Sequence, residues 1–290
     1  MNFLLSFDVE DWFQVENFRG VIRRELWEHW DGKESRVIGN TLKLLELLDR
    51  HRIRATFFVL GWIAKRHPEL VREISSCGME VASHGYGHEL AYTMTREELR
   101  EDLKHSKEVL EDITGREVLG YRAPSFSISE GVSKLIQEAG YRYDSSYNPF
   151  PGNKRYGSID LLSQDSQGLY RIGDLVEVPI PLVRLHGMAL PVGGGGYFRI
   201  YPLPFFEVLA KKYLRQHGHY LFYLHSWEVD PEQPRLRGVP KGYYLRHYFG
   251  LSEAYGKLDR FLRDMEGYGV RFSAIEEFLR MRGKLCRHFG

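Results

Sequence analysis

Short apolar runs alternate with amphipathic segments through the first half of the chain. Residues 3–7 and 55–60 have the length of buried strands, whereas residues 37–51 (VIGNTLKLLELLDRH) place leucines at helical spacing. The same alternation predicts strands at residues 79–83, 118–121 and 141–143, and helices at residues 62–76, 95–114 and 129–139. Repeated strand–helix–strand units indicate a parallel sheet with helices outside it, and their number favours a closed barrel. In such a barrel, reactive residues lie at the C-terminal ends of the strands.

The pattern changes after Asn148. Residues 149–204 are rich in Gly and Pro, which predicts hairpins and loops inserted over the barrel mouth rather than a separate domain. Regular periodicity then returns, in predicted helices at residues 204–217 and 252–266, a strand in HYLFYLHSWE, and a strand and helix in VRFSAIEEFLRM. We therefore predict one α/β domain over residues 1–290, with residues 228–290 as a C-terminal extension packed on the barrel.

Composition changes this picture little. The chain has 290 residues, of which 43% are hydrophobic and 27% charged, so it can form a sizeable core. The 40 Lys and Arg residues against 39 Asp and Glu leave a net charge of +1, which gives no electrostatic reason to expect nucleic acid or an anionic membrane as a partner. Aromatic residues reach 14%, and those beyond the needs of the core are suited to grooves that stack against sugars.

Cysteine usage and hydropathy predict neither a disulfide framework nor a membrane span. Cys77 and Cys286 have no metal-type spacing. No stretch approaches the roughly 18 uninterrupted apolar residues of a transmembrane helix. The first predicted strand begins at Phe3, without the basic segment or cleavage site of a signal peptide before it. The expectation is a soluble cytoplasmic protein.

Three acids stand within four positions at the end of the first predicted strand, in LLSFDVEDWFQV. Asp8, Glu10 and Asp11 follow the apolar run directly. Carboxylates this close repel each other, and taking them out of water is unfavourable. A bound cation, an arginine partner or a shared proton would each offset the repulsion.

Two histidines follow the third predicted strand, in ASHGYGHE. His84 and His88 are four positions apart, a spacing that allows two imidazoles to bind one metal ion. Gly85 and Gly87 between them predict a bent loop, and two surface histidines in a Gly-rich turn are the alternative. With one carboxylate from the acidic cluster they would form a three-ligand hydrolytic site with room for water, and a second carboxylate would act as base.

Two further strand ends carry one reactive side chain each. Arg122, in GYRAPSF, is suited to hold a carboxylate base in its ionised form, with an ordinary surface ion pair as the alternative. His225, in LFYLHSWE, is suited to protonate a leaving amine as a general acid, with a hydrogen-bonded core histidine as the alternative.

The ordered motifs SFDVED, ASHGYGH, YRAPSF and YLFYLHS resemble the polysaccharide deacetylase family, also called the NodB-homology or carbohydrate esterase 4 family. More narrowly, SFDVEDWF and ATFFVLGW are similar to deacetylases associated with exopolysaccharide gene clusters. The resemblance covers most of the chain. It implies a distorted (β/α)7 barrel and a divalent metal ion, most often zinc. Sites of two imidazoles and one carboxylate also accept cobalt, nickel or iron.

The resemblance also implies roles for five residues. Asp8 matches the catalytic base, Arg122 the residue that orients the base, and His225 the general acid. His84 and His88 match two metal ligands.

The first motif departs from the family pattern. Its commonest form has two adjacent aspartates, of which the second binds the metal, whereas Val9 stands there in this chain. Glu10 or Asp11 would then supply the oxygen ligand. Glu10 matches branches with the acids two apart, but the shorter Asp11, placed to swing in from the loop, is slightly preferred. The family's later Asp-to-Trp motif has no clear counterpart, which leaves the partner of His225 open, and Asp144 is a candidate rim residue.

These expectations combine into one leading hypothesis, the hydrolysis of N-acetyl groups on amino sugars of a polysaccharide or its precursor. The nearest alternative is an amide hydrolase of the same fold that acts on a small formamide or cyclic ureide. A carbohydrate-binding relative without catalysis is the alternative from another class. The expected partner is an N-acetylated glycan; the sequence predicts neither which glycan nor the oligomeric state.

Candidate substrate contacts come from the later loops. Tyr197, Tyr244 and Trp227 are predicted to contact sugar rings. Arg199 or Lys241 is predicted to contact acidic substituents or a carrier phosphate. The alternative is that these loops only cover the barrel mouth or form a dimer contact.

Overall fold

The computed structural model describes residues 1–23, 25, 27, 35–152, 156–159, 165 and 168–285. Cys286 lies outside the described residues. The strands are β1 (Asn2–Val9), β2 (Thr56–Val59), β3 (Glu80–Ser83), β4 (Gly120–Tyr121), β5 (Tyr143–Asp144), β6 (Tyr170–Ile172), β7 (Leu175–Glu177), β8 (Leu182–Leu185), β9 (Met188–Pro191), β10 (His219–His225) and β11 (Arg271–Ser273). The α-helices are α1 (Val37–His51), α2 (Gly61–Arg66), α3 (Pro68–Ser76), α4 (Arg96–Thr114), α5 (Glu130–Glu138), α6 (Gly195–Ile200), α7 (Leu203–His217), α8 (Lys241–Tyr248), α9 (Leu251–Gly267) and α10 (Ile275–Met281).

One curled sheet has the strand order β10–β1–β2–β3–β4–β5–β7–β6, with β11 also paired to β1. The strands from β10 through β7 run parallel, and β6 pairs antiparallel with β7 at the edge. Within the described residues no ladder joins β6 to β10. The predicted (β/α)7 barrel is therefore confirmed in its distorted form, as a curled and open sheet, rather than as the closed barrel that the number of units favoured.

β1 lies between β10, the edge strand, and β2, and it carries the first acidic motif. Residues 3–9 are buried between the neighbouring strands. The register pairs Asp8 with His225 of β10 on one side and with Phe58 of β2 on the other. Because these strands are parallel, their C-terminal ends meet at one edge of the sheet, where the predicted reactive residues lie.

The helices of the first half follow their predicted positions closely. α1 spans the predicted residues 37–51, and α4 begins with the capping box in which the Thr95 hydroxyl accepts from the Glu98 N–H. The segment predicted as one helix over residues 62–76 is two helices, because Pro68 has no N–H to donate and instead begins α3. Among the described residues, no helix combines the length and apolar character needed to span a bilayer.

Part of residues 149–204 belongs to the main sheet, whereas the sequence predicts only hairpins and loops over the barrel mouth. β7 pairs parallel with β5 and is a member of the main sheet, with β6 beside it at the edge. β8 and β9 form a separate two-stranded hairpin, and α6 follows. The strands of this region are three or four residues long, too short to show a periodic pattern in the sequence.

The C-terminal segment completes the core rather than extending it. β11 pairs with the first residues of β1. The ring of Phe261, on α9, lies 5.6 Å from that of Phe3, 5.3 Å from that of Phe222 and 5.5 Å from that of Phe198, measured between centroids. These four phenylalanines therefore pack in the core and not in a groove.

Candidate functional site

Arg122 and Asp8 form a buried ion pair at the C-terminal edge of the sheet. Arg122 Nη1 donates to Asp8 Oδ1 at 2.7 Å and to Ser6 Oγ at 3.0 Å. The other side of the guanidinium donates to Ser145, from Nε to the carbonyl oxygen at 3.1 Å and from Nη2 to the hydroxyl at 3.0 Å. Arg122 is fully buried, so this is not the surface ion pair left as an alternative. Asp8 is held in one orientation, with Oδ2 at 3.8 Å from His225 Nε2.

Glu10, His84 and His88 converge on one point beside this ion pair. Glu10 Oε1 lies 2.9 Å from His84 Nε2 and 3.1 Å from His88 Nε2. His84 Nδ1 donates to the carbonyl oxygen of Arg122 at 2.8 Å, which leaves the Nε2 lone pair facing Glu10. A carboxylate oxygen and a lone-pair nitrogen at this distance repel unless a proton or a metal ion lies between them. All three side chains are buried, so the histidines are not an exposed pair in a turn.

The charges of this cluster balance only when a positive charge is present. Burial disfavours the Glu10 carboxylate, but His88 and His225 outweigh it and hold the pKa of Glu10 well below its usual range. Burial likewise disfavours a charged His88, but Glu10 raises the pKa of His88 above its ordinary value. Two imidazoles and one carboxylate are also a donor set of catalytic zinc sites. The ligand atoms lie within 4.8 Å of one another, so the cluster fits a single divalent cation.

The structure contradicts the preference for Asp11 as the oxygen ligand. Its carboxylate is not part of the cluster and instead caps the N-terminus of α1. It accepts hydrogen bonds from the backbone N–H groups of Trp12, Arg36 and Val37 and from the hydroxyl of Ser35. Burial nevertheless raises the pKa of Asp11 to about 6. Glu10 stands next to the end of β1, and its longer side chain reaches both histidines.

His225 is held by a carboxylate that the sequence analysis missed. His225 Nδ1 donates to Glu228 Oε1 at 2.7 Å, and the backbone N–H of His225 donates to the same oxygen at 3.1 Å. Arg199 Nε donates to Glu228 Oε2 at 2.6 Å. Glu228 stands three residues after His225 in HSWE, so the short spacing was a usable signal. Arg199 gave no comparable signal because it is 29 residues away from Glu228.

The charges around His225 keep it protonated. Burial lowers the pKa of His225, but Glu10 and Glu228 raise it to about 9. Burial raises the pKa of Glu228, but Arg199 and His225 lower it to about 2. At neutral pH the imidazole therefore carries a proton on Nε2, the nitrogen that faces Asp8. An imidazolium in this position can act as a general acid.

Arg199 also ties α8 to the site. Its Nη1 donates to the carbonyl oxygen of His247 at 2.8 Å, its Nη2 donates to that of Arg246 at 3.1 Å, and the Phe249 carbonyl oxygen accepts as well. Arg199 is buried. The prediction that Arg199 contacts an acidic substituent of the substrate is therefore wrong, because all its donors face groups of this chain.

The three aromatic residues predicted to contact sugar lie in three different places. Trp227 lines the cleft, stacked between His225 at 5.2 Å and His247 at 4.2 Å between ring centroids. Tyr197 lines an apolar groove beside the cleft. Tyr244 is half-buried and packs against the hydrophobic core, and its contact with substrate stays a prediction.

Asp144, the candidate rim residue, is buried instead. It lies opposite Glu177 in the pairing of β5 with β7. Burial raises the pKa of Asp144 to about 6 and that of Glu177 well above its usual range. The pair lies in the protein interior, where two facing carboxyl groups share a proton more readily than they bear two charges.

The loop after β4 brings a strained backbone to the cleft. Ser125 and Phe126 have φ angles of +53° and +58°, in the left-handed region that few residues other than glycine adopt. Ser127 Oγ braces the loop by donating to the Pro124 carbonyl oxygen at 2.7 Å. Within the described residues the Ser125 N–H makes no hydrogen bond, and Ser125 lines the cleft.

The first half of the chain matches the polysaccharide deacetylase family. The polysaccharide deacetylase family model matches residues 31–143, and the model of a domain of unknown function (DUF3473) matches residues 145–279. The peptidoglycan deacetylase of Helicobacter pylori is 34% identical over 104 residues, which cover 36% of this chain and 36% of that protein. The chain spans between 36% and 47% of the lengths of the three peptidoglycan deacetylases from H. pylori, Bacillus subtilis and Bacillus cereus.

Solved structures share the fold at low identity. A Mycobacterium smegmatis protein assigned to the polysaccharide deacetylases matches with a TM-score of 0.62 at 22% identity, over 100% of this chain and 93% of that chain. An allantoinase matches with a TM-score of 0.64 at 15% identity, over 96% of this chain and 89% of that chain. The resemblance to polysaccharide deacetylases that the motifs predict is confirmed. The narrower similarity to exopolysaccharide-cluster deacetylases stays a prediction.

Proposed function

We propose that the protein is a metal-dependent hydrolase that removes N-acetyl groups from amino sugars of a polysaccharide or its precursor. The observation that carries the proposal is the convergence in one cleft of the Glu10–His84–His88 cluster, the Asp8–Arg122 ion pair and the His225–Glu228 pair. Amide hydrolysis requires a Lewis acid, a general base and a general acid. These three groups of residues are suited to supply them. The names of the deacetylases similar to this chain support the same class.

Glu10, His84 and His88 are the proposed ligands of a divalent cation. Zinc is the expected ion, and cobalt, nickel and iron suit the same donors. When bound, the cation supplies Lewis-acid chemistry, by polarising the amide carbonyl and lowering the pKa of water. The His84 tautomer is already set for ligation by the bond from Nδ1 to the Arg122 carbonyl oxygen.

Asp8 is the proposed general base. Arg122 occupies Oδ1, so Oδ2 is the atom that takes a proton from the attacking water. The water oxygen then forms a bond to the amide carbonyl carbon. The Ser125 N–H, at the wall of the cleft, is the proposed donor of a hydrogen bond to the carbonyl oxygen as negative charge develops on it.

His225 is the proposed general acid. Glu228 holds Nδ1, so the proton on Nε2 is the one transferred to the departing nitrogen. The bond between the carbonyl carbon and that nitrogen breaks, and the products are acetate and a free amino sugar. Overall, the water supplies a hydroxyl group to the acyl carbon and a proton to the amine.

Acetate release tests the proposal directly. The zinc-loaded protein is incubated with chitooligosaccharides, peptidoglycan fragments, an N-formylated sugar and allantoin, each with and without a chelator. We expect acetate from N-acetylated glycans, loss of activity with the chelator and recovery with added zinc. Glu101→Gln, at an exposed position of α4, is the control for variants in which an acidic residue of the site is replaced by its amide.

Three results would contradict the proposal. A folded, metal-loaded protein that releases acetate from none of the glycans would exclude deacetylation of these substrates. Turnover of allantoin or of the formamide, without acetate release, would instead support the small-amide alternative. Binding of glycans without any turnover would support the non-catalytic alternative.

A further inference from the structure

An apolar groove lies beside the cleft and is continuous with it. Its volume is about 410 Å³, which falls within the range of small-molecule sites, roughly 300–1,000 Å³. Tyr197 and Ile200 of α6 form one wall, and Leu245 of α8 with Phe249 forms the other. Gly196 and Arg246 line both the groove and the cleft, so the two cavities meet at these residues.

The groove presents large apolar side chains to solvent. Leu245 is 64% exposed, Phe249 47% and Ile200 46%. A contiguous apolar strip of this kind marks a binding surface in a folded protein. Ile200 and Leu245 offer no hydrogen-bond partners to the hydroxyl groups of a sugar, so this part of the groove suits a hydrocarbon better than a further sugar unit.

Internal hydrogen bonds hold both walls in place. Arg199 binds the last carbonyl oxygens of α8, those of Arg246 and His247. Lys257 binds the last carbonyl oxygens around the end of α6, at 2.5 Å for that of Phe198. The helix ends are therefore fixed relative to each other, and a ligand that enters the groove meets a preformed site.

A cation stands where the groove meets the cleft. Within the described residues, no ion pair joins Arg246 to a carboxylate; its side chain forms a hydrogen bond with Tyr156 and lies near Tyr197 and Tyr223. Residues 233–252 contain four Arg and Lys residues and no Asp or Glu. A half-buried guanidinium without a carboxylate partner points to an anionic group on the ligand.

From the order of these three regions we infer that the substrate is a glycolipid in which a phosphate joins the sugar to a long aliphatic chain. This inference rests on the proposed function. The N-acetyl sugar lies in the cleft at Asp8 and His225, the phosphate contacts Arg246, and the chain lies between Ile200 and Leu245. The polar cleft, Arg246 and the apolar groove follow one another in the same order as sugar, phosphate and chain.

Chain length in the substrate tests the inference. Acetate release is measured with methyl and decyl esters of N-acetylglucosaminyl phosphate, and with decyl N-acetylglucosaminide, which lacks the phosphate. Each buried methylene strengthens binding by about fourfold, so even partial burial predicts a KM for the decyl phosphate ester at least about tenfold below that of the methyl ester. Leu245→Asp and Ile200→Asp are expected to reduce the ratio of the two KM values to near one. Arg246→Gln is expected to remove the preference for the phosphate ester over the neutral decyl glycoside. Val208→Asp, at an exposed apolar position of α7, is expected to keep the wild-type ratio.

Calorimetric binding of decyl phosphate and methyl phosphate to the zinc-loaded protein separates this inference from the proposed function. Acetate release from chitooligosaccharides with no effect of chain length would overturn the inference and leave the function intact. No acetate from any substrate, together with decyl phosphate binding that Leu245→Asp abolishes, would overturn the function and support a lipid phosphate as ligand. Equal binding of the two phosphates that Arg246→Gln abolishes would overturn the lipid inference in favour of an acidic glycan.

Discussion

Asp8 and His225 are direct neighbours in two adjacent parallel strands: the register of β1 with β10 pairs them, and Asp8 Oδ2 lies 3.8 Å from His225 Nε2. Paired residues of neighbouring strands have their side chains on the same face of the sheet. The proposed proton acceptor and proton donor are therefore positioned by the backbone register. A slip of one residue would turn one of them to the opposite face.

Glu10→Gln is expected to remove most of the bound metal, and Asp11→Ala to retain it. Glu10 Oε1 is the oxygen that faces both His84 and His88, whereas Asp11 caps α1. Loss of the cap should instead lower the free energy of unfolding by about 0.5–2 kcal/mol. Elemental analysis after gel filtration measures the metal, and urea unfolding measures the stability. Metal loss in Asp11→Ala with retention in Glu10→Gln would reverse the assignment.

Asp8→Asn is expected to keep the metal and the fold but to lower kcat by about 10²–10⁴-fold. The amide preserves the shape of the side chain and can still accept from Arg122, but it cannot take up a proton from water. Single-turnover acetate release and elemental analysis on the same preparation test this. Activity near that of Glu101→Gln would show that Asp8 is not the base.

Glu228→Gln is expected to move the alkaline limb of the kcat/KM profile to lower pH. In the wild-type protein the charge of Glu228 raises the pKa of His225, and activity falls at alkaline pH when the proposed acid loses its proton. Removing the negative charge bonded to Nδ1 at 2.7 Å destabilises the imidazolium and lowers the pKa of His225. Glu232→Gln, at an exposed position of the same loop, is the control. An unchanged alkaline limb would mean that Glu228 does not act through His225.

Glu80→Gln is expected to remove part of the pH dependence of stability. Burial, with repulsion from Glu276, raises the pKa of Glu80 from 4.5 to about 7. The folded protein thus holds this proton more tightly than the unfolded chain. The stabilisation is complete below pH 4.5 and is lost as the pH rises through about 7.

Urea unfolding at pH 5 and pH 8 checks this. The decrease in the free energy of unfolding between the two pH values should be smaller in Glu80→Gln than in the wild type. The amide can still accept from the Thr56 hydroxyl and the Glu276 N–H, which bond Glu80 Oε2 at 2.6 and 3.0 Å. An equal decrease in both proteins would show that Glu80 does not titrate between these values.

The sequence by itself determined the elements and the reactive side chains at their ends. Helical spacing of leucines predicted α1 to the residue, and strand–helix alternation predicted the parallel sheet. Local periodicity encodes such elements because a helix or strand buries one face or one run of neighbouring residues. Once the strands are parallel, side chains that directly follow them gather at one edge, which is how Asp8, His84 and Arg122 come together.

Only the tertiary structure decided which neighbouring acid faces the histidines and what holds His225. Glu10 and Asp11 differ by one position, and the choice between them depends on α1, whose N-terminus packs onto Asp11. The bond from Arg199 to Glu228, and the placement of Tyr197 in a groove and Tyr244 against the core, depend on how α6 and α8 pack against each other. These contacts join residues far apart in the chain, so no local pattern of hydrophobic and polar positions records them.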